Sequence, residues 1–211
     1  MSTQPWHSAN GAPATPDPTG SPFTITAYPT TDIWRGAPDQ GDVFNAPYIY
    51  TTLTPSTFHR ILATVTVPWK TQFDQGGLLL AFPRPASEGP WRWIKAGIEM
   101  FDGAPALGVV GTDRFSDWSL APMPSSADSE GDGWDSQRTA RFEMVRDGTT
   151  LWVYVVVGGK RRALREVKWA FLGLGEAVEV RVGVYAAKPS VDEGGDEGTG
   201  VECKFEGVEV E

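Results

Sequence analysis

The chain has 211 residues, of which 40% are hydrophobic and 11% aromatic, and it contains 24 glycines, 17 prolines and nine tryptophans. This composition is too apolar for a disordered chain and too rich in turn residues for a helical bundle, so it favours an all-β domain. The net charge of −9 repels phosphate backbones and anionic lipid surfaces, so we expect neither a nucleic-acid nor a membrane partner.

Residues that bind metals or form disulfides are scarce. Cys203 is a single cysteine, which excludes an internal disulfide, and His7 and His59 are too few to complete a structural zinc site. Residues 1–20 contain no apolar run of the kind found in secretory signals, and apolar runs such as Val153–Val157 are far too short to span a membrane. We therefore expect a cytoplasmic protein without a metal or cofactor.

Short β-rich segments separated by turn residues follow one another along the chain, in the pattern typical of a β-sandwich or jelly roll. We expect a flexible segment over residues 1–20 and a single jelly-roll domain over residues 21–211. The predicted strands, in chain order, are Phe23–Tyr28, Tyr48–Leu53, Phe58–Val67, Gly77–Phe82, Arg92–Asp102, Ala106–Thr112, Thr139–Asp147, Thr150–Val157, Arg161–Lys168, Val178–Lys188 and Val201–Val210.

Two long loops are predicted, over residues 114–137 and 190–200. The first contains Trp118 and Trp134, which favours a role in capping a binding site, whereas the second is acidic, rich in glycine and free of aromatic residues. The segment Asp128–Gly133 superficially resembles the start of a calcium-binding loop, but the position that should carry the closing glutamate is a threonine, so we expect no metal site.

Alternation along the strand predicted at Arg92–Asp102 gives the main indication of function. Successive side chains point to opposite faces of a sheet, so Ile94, Ala96 and Ile98 form an apolar row that packs between two sheets. The opposite face carries aromatic and charged side chains, namely Trp93, Lys95, Glu99 and Phe101.

Other predicted strands present a similar outward face. If they share one sheet with Lys95 and Glu99, then Arg141, Trp152 and Tyr185 extend the same aromatic and charged floor. Such a floor suits a sugar, which has apolar C–H faces and hydroxyl edges. The alternative is a solvated sheet face with cross-strand ion pairs, and both interpretations stay open at this stage.

Two further pairs of polar residues have a structural and a functional interpretation. Asp74 and Gln75 precede Gly76 at the start of a strand, where they either stabilise a turn or contact a ligand. Asp117 and Trp118 either anchor the first long loop or form the rim of the binding face.

Several segments together carry a resemblance to a known family. Residues 73–80, 93–99 and 115–119 read Phe-Asp-Gln-Gly-Gly-Leu-Leu-Leu, Trp-Ile-Lys-Ala-Gly-Ile-Glu and Phe-Ser-Asp-Trp-Ser, and Thr-Asp-Ile-Trp at 31–34 and Val-Gly-Val-Tyr-Ala-Ala-Lys-Pro at 182–189 agree with them. The chain resembles a concanavalin A-like family of unknown function, from fungi and bacteria, that includes a yeast protein called regulation of enolase. The resemblance implies a lectin/glucanase jelly roll of two curved antiparallel sheets with a concave face, and it leaves the activity open.

Catalysis is the alternative to simple binding. Glucanases of this superfamily carry a Glu-x-Asp-x-x-Glu pattern, which the chain lacks, and hydrolysis of a glycosidic bond needs two carboxylates. Glu99 is the candidate acid or base, with Lys95 about 13 Å away along the strand and Glu143 or Glu179 as a second acid across the sheet.

Three hypotheses follow. The first is a protein that binds a sugar or polyol-like small molecule on the concave face, and the second is an enzyme in the same groove with Glu99 and Lys95 as catalytic residues. The third, implied by the resemblance alone, is an interaction protein that regulates a glycolytic enzyme such as enolase.

Overall fold

Strands dominate the computed structural model, which describes residues 5–14, 18–125, 138–195 and 198–211. A single turn of 3-10 helix spans Ala86–Glu88. The strands are β1 (Trp6–Ala9), β2 (Phe23–Ala27), β3 (Ile33–Arg35), β4 (Asp42–Phe44), β5 (Tyr48–Leu53), β6 (Arg60–Thr66), β7 (Gln75–Phe82), β8 (Arg92–Phe101), β9 (Ala104–Thr112), β10 (Ser116–Pro122), β11 (Thr139–Asp147), β12 (Thr150–Val157), β13 (Lys160–Val167), β14 (Val180–Ala187) and β15 (Val201–Val210).

Two large antiparallel sheets form a sandwich, which confirms the predicted all-β jelly-roll fold. The seven-stranded sheet has the order β1-β5-β14-β7-β8-β9-β10, and the six-stranded sheet has the order β13-β12-β11-β6-β15-β2. Apolar side chains from the inner faces of both sheets form the main core, where Ile94 and Ile98 of β8 belong to the same buried cluster as Phe142 and Met144 of β11. The alternation predicted for β8 is therefore confirmed.

All eleven predicted strands are present, with ends that differ by no more than two residues. The hairpin between β11 and β12 turns at Gly148, whose φ of 59° is the conformation that favours glycine. The sequence did not predict β1, β3, β4 or β10, because these strands are short or lie in segments rich in Ser and Pro.

Two of these unpredicted strands, β1 and β10, lie in segments for which we expected a flexible chain or a loop. Residues 1–20 include β1, which pairs with β5 at the edge of the seven-stranded sheet. The predicted loop 114–137 begins as β10. Its residues 126–137, which include Trp134 and the whole calcium-like segment Asp128–Gly133, lie outside the described residues. Residues 190–195 and 198–200 contain no strand.

The hairpin of β3 and β4 lies across the outer face of the seven-stranded sheet. Ile33 is fully buried there and packs in a second apolar cluster with Leu79, Ala81 and Trp93. These contacts close the middle of a face that the sequence predicts to be an open groove, so a shorter recess remains beside the hairpin.

Polar contacts fix the hairpin in this position. The backbone N–H of Arg35 donates a hydrogen bond of 2.9 Å to Ser116 Oγ on β10, and the guanidinium donates one of 2.8 Å to the carbonyl oxygen of Trp91. The same guanidinium pairs with Asp42 on β4. The hairpin therefore bridges the sheet from the start of β8 to β10.

In the part of the chain that the structure describes, no helix has the length and apolar character needed to cross a membrane.

Candidate functional site

A row of glycines crosses the outer face of the seven-stranded sheet. Gly77 on β7, Gly97 on β8 and Gly108 on β9 are direct cross-strand partners. A Cβ atom at Gly77 or Gly97 would lie 2.0 Å from a backbone oxygen of the neighbouring strand, so both positions require glycine. On β8 the side chains on either side of this row are Lys95 and Glu99, which share the face because they are two residues from Gly97.

A cavity of about 450 Å³ opens between these two side chains. Its volume falls within the range of about 300 to 1,000 Å³ that is typical of small-molecule sites. Its lining combines aromatic, apolar and polar residues, namely Asp32, Trp34, Phe73, Gln75, Lys95, Glu99, Val110, Trp118, Pro189 and Ser190.

Lys95 is held in the floor by a network of polar and aromatic contacts. Its Nζ donates hydrogen bonds to Gln75 Oε1 over 2.6 Å and to Asp32 Oδ1 over 3.3 Å. The Tyr185 hydroxyl donates to the same oxygen of Gln75 over 3.1 Å. The ammonium also lies 5.7 Å from the ring centroids of Trp93 and of Tyr185, at the outer range of a cation–π contact. Lys95 is only 3% exposed, so Asp32 neutralises a buried charge.

Glu99 is the other ionisable group of the floor, and it is 8% exposed. Burial raises the pKa of the Glu99 carboxyl from 4.5 to about 7. The carboxylate of Asp32 raises the pKa further. The ammonium of Lys95 lowers it, as does a hydrogen bond of 3.1 Å from Trp118 Nε1 to Glu99 Oε2. The Glu99 carboxyl therefore changes its protonation near neutral pH, so it is able to donate or accept a proton.

Three aromatic rings form the walls. Trp118 makes edge-to-face contacts with Trp34 and Phe73, with ring centroids 6.2 and 6.4 Å apart. Phe73 has a φ of 70°, which is uncommon for a bulky residue. Its backbone N–H donates a hydrogen bond of 2.7 Å to the carbonyl oxygen of Met100, so the surrounding turn holds the Phe73 ring in the wall.

Comparison with known proteins assigns the chain to a family. The profile of a family described as a protein of unknown function, DUF1349, matches residues 10–211. The chain belongs to the DUF1349 family. An uncharacterized protein of Emericella nidulans is 38% identical over 175 residues, which make up 82% of this chain and 80% of that protein.

Solved structures with similar folds include a second protein of unknown function. A functionally unknown protein from Saccharomyces cerevisiae superposes with a TM-score of 0.73 at 18% identity, over 98% of this chain and 95% of the yeast chain. The catalytic domain of an endo-1,3-beta-glucanase (laminarinase) from Thermotoga petrophila gives a TM-score of 0.52 at 13% identity, over 90% and 77% of the two chains. These likenesses show a glucanase-like jelly-roll fold and no more.

The structure brings four of the predicted site residues together around the cavity, namely Gln75, Lys95, Glu99 and Trp118. Two others contact the site from below: Trp93 is fully buried and Tyr185 is 2% exposed. Both have their rings beside the Lys95 ammonium, so they support the floor and do not form its surface.

Arg141 and Trp152 lie elsewhere, and the prediction that their strands share one sheet with Lys95 is wrong. Arg141 is on β11 and Trp152 on β12, both in the six-stranded sheet. Trp152 stacks on Tyr154 with ring centroids 6.0 Å apart. Alternation distinguishes the outer face of a strand from its inner face, but it does not indicate which sheet the strand joins.

The second acids predicted for Glu99 are also engaged elsewhere. Glu143 is on β11 and is held by Arg161 and Arg60. Glu179 pairs with Arg181 over 2.7 Å. Neither lines the cavity, whereas Asp32 does.

Asp117 and Asp74 do not line the cavity. The Asp117 side chain is 83% exposed and lies 3.5 Å from Arg165. Asp74 is buried, accepts a hydrogen bond of 2.9 Å from the backbone N–H of Thr71, and pairs with Lys188 over 3.1 Å. Its turn-stabilising role, one of the two predicted alternatives, is the one that the structure shows.

Sequence reasoning missed six lining residues of the cavity, namely Asp32, Trp34, Phe73, Val110, Pro189 and Ser190. Asp32 and Trp34 belong to the Thr-Asp-Ile-Trp segment that contributes to the family resemblance, and that segment was the available signal. Over the described ranges, no group of three or more His, Cys, Asp or Glu side chains is placed to hold a metal ion.

Proposed function

We propose that the protein binds one small polyhydroxylated molecule, such as a single sugar unit or a polyol, in the cavity between Lys95 and Glu99. The observation that carries this proposal is the combination of aromatic walls with a polar floor in a cavity of about 450 Å³. The rings of Trp34 and Trp118 offer apolar surfaces to C–H groups, and Glu99 offers a carboxyl to hydroxyl groups.

The size of the ligand follows from the hairpin of β3 and β4. Because Ile33 packs against Leu79 and Trp93, the hairpin occupies the part of the face where further sugar units of a long chain would lie. A recess of this kind favours a single unit over a polysaccharide. The laminarinase-like fold is compatible with a sugar ligand, but at 13% identity it supports the proposal only by analogy.

Tryptophan fluorescence tests the proposal. Titration of the full chain with monosaccharides and polyols such as glucose and sorbitol is expected to give a saturable change, and Trp118→Ala is expected to weaken binding at least about tenfold, or about 1.4 kcal/mol. Trp152→Ala is the matched control, since it removes an indole from the other sheet and should leave the affinity unchanged. No saturable response to any sugar or polyol, or equal losses in the two variants, would contradict the proposal.

Acid–base catalysis in the same cavity is a second candidate. It is favoured by Glu99, whose pKa is raised to about 7, and by the presence of a second carboxylate, Asp32, in the lining. In a hydrolase, Glu99 would protonate the leaving oxygen of a glycosidic bond while water supplies the hydroxyl that replaces it. Release of nitrophenol from a panel of nitrophenyl glycosides, abolished in Glu99→Gln, would support this function, and no release from any of them would count against it.

Regulation of a glycolytic enzyme such as enolase stays a prediction from the family resemblance. The cytoplasmic location stays a prediction from the sequence composition. Enrichment of enolase on the immobilised full chain from a cell extract tests the first, and its absence among the retained proteins would count against it.

A further inference from the structure

Two carboxylate oxygens that belong to lining residues of the cavity have no hydrogen-bond donor among the described residues. Glu99 receives its hydrogen bond on Oε2. Asp32 receives three on Oδ1, from Lys95 Nζ, Gln75 Nε2 and the Ile33 backbone N–H. No described residue donates to Glu99 Oε1 or to Asp32 Oδ2. Neither oxygen is fully buried, and both residues line the cavity, so both oxygens are accessible to a ligand there.

The charges of the lining do not balance once both carboxyls ionise. Lys95 is the one basic residue among the described residues that line the cavity, and Asp32 already pairs with it. Glu99 is more than nine-tenths buried and forms no ion pair with any of the described residues. A buried carboxylate in this position is stabilised by an incoming positive charge.

The aromatic walls favour a cation as well. Trp34, Phe73 and Trp118 line the same cavity as the two free oxygens. The faces of aromatic rings attract ammonium groups, and they do so more strongly where water is excluded.

We propose that the ligand of this cavity carries a protonated amine, as an amino sugar or amino polyol does, and that its ammonium group binds to Glu99 Oε1, while Asp32 adds negative charge to the same lining. This inference rests on the proposed function, because the hydroxyl groups of the ligand occupy the rest of the same cavity. An ammonium group donates up to three hydrogen bonds, so it can pair with Glu99 Oε1 and still donate to other acceptors in the cavity. The bound ligand then neutralises Glu99, and Lys95 keeps its pairing with Asp32.

Calorimetric titration of the full chain near pH 7 with glucosamine, glucose, N-acetylglucosamine and propylamine tests this inference. Glucosamine is expected to bind at least about tenfold more tightly than glucose or N-acetylglucosamine, a difference of about 1.4 kcal/mol. Equal affinities for glucosamine and glucose would overturn the inference and leave the proposed function standing. No binding of any sugar would overturn both, and propylamine binding as tightly as glucosamine would support the ammonium site while overturning the requirement for a sugar.

Two variants distinguish a direct contact with Glu99 from an effect of the overall negative charge of the protein. Glu99→Gln is expected to reduce the ratio of glucosamine to glucose affinities to near one, whereas Glu179→Gln, which removes a carboxylate beside β14 and outside the cavity, should leave that ratio unchanged. The ratio for the unmodified protein should also fall between about pH 7 and pH 5, because Glu99 becomes protonated there. The groups facing Glu99 are Lys95, Asp32 and Tyr185, and the tyrosine stays protonated throughout because burial raises its pKa. An unchanged ratio of glucosamine to glucose affinities in Glu99→Gln would overturn the proposed contact between the ammonium group and Glu99.

Discussion

Trp118 Nε1 donates a hydrogen bond of 3.1 Å to Glu99 Oε2 across the intervening strand β9. The bond fixes one oxygen of the carboxyl and leaves the other accessible from the cavity. It also stabilises the ionised form of Glu99 against the effect of burial. The hydrogen bond from Trp118 therefore orients the Glu99 carboxyl and limits the rise of its pKa that burial causes.

Trp118→Phe is expected to raise the pKa of Glu99 above about 7, since phenylalanine keeps an aromatic ring in the wall but donates no hydrogen bond. The measurement is an NMR titration of the glutamate side-chain carbon against pH. Trp34→Phe is the control, because Trp34 lines the same cavity without a hydrogen bond to Glu99. An unchanged Glu99 titration in Trp118→Phe would show that the bond has no role in setting the pKa.

The stability of the protein is expected to depend on the protonation of Glu99. The folded state binds this proton more tightly than the unfolded chain, so the contribution of Glu99 to stability falls as pH rises from about 4.5 to about 7. Glu99→Gln resembles the protonated form and should be more stable than the unmodified protein at about pH 8, by up to about 3 kcal/mol, and about equally stable near pH 4. Denaturant unfolding of both proteins at the two pH values measures this difference, and a constant difference would contradict it.

Gly108→Ala is expected to weaken ligand binding. A Cβ atom at this position would lie 3.0 Å from Glu99 Oε2, so the carboxyl would have to shift by a few tenths of an ångström, which disturbs its hydrogen bond with Trp118. Gly111→Ala on the same strand is the matched control, because its Cβ atom would make an ordinary contact of 3.4 Å with Trp169. Fluorescence titration should show a several-fold loss of sugar affinity for the first variant alone, and similar affinities in both would argue against a role for the Glu99 position.

A buried ion-pair network beside the cavity is expected to make a large contribution to stability. Lys188 Nζ lies 3.1 Å from Asp74 and 2.6 Å from Asp192, and all three side chains are at most 5% exposed. Lys188→Met removes the cation that Asp74 and Asp192 share, although Asp192 keeps its pair with Lys70. The variant should therefore lower the free energy of unfolding by about 3 kcal/mol, the lower end of the range for a broken buried pair. Lys204→Met, which breaks an exposed pair with Glu206, should change it by no more than about 1 kcal/mol. Comparable losses in the two variants, measured by urea unfolding, would contradict the structural role of the network.

Much of the sandwich follows from local patterns. The apolar row of β8 follows from side chains that are two residues apart in the sequence. The turn at Gly148 follows from the Asp-Gly pair, because glycine readily adopts the positive φ that the turn requires. The hairpin of β3 and β4 is different, because each strand has only three residues and its position depends on distant contacts such as that of Arg35 with Ser116.

The candidate site was predictable only in part, because some of its contacts join residues that are distant in the sequence. Lys95 and Glu99 share one strand, so their common face follows from alternation. Asp32 contacts Lys95 across 63 residues of sequence, and nothing local marks it as a partner. For Trp152, alternation predicted a position on the outer face of its strand, but it did not indicate that this strand belongs to the six-stranded sheet, away from Lys95.

A crystal structure of the full chain soaked with glucosamine and with glucose tests the central claim most directly. We expect ligand density beside the glycine row, with a ring against Trp34 or Trp118 and a polar contact to Glu99 Oε1. Density on the Trp152 face of the six-stranded sheet, or an unoccupied cavity at saturating ligand, would contradict the account.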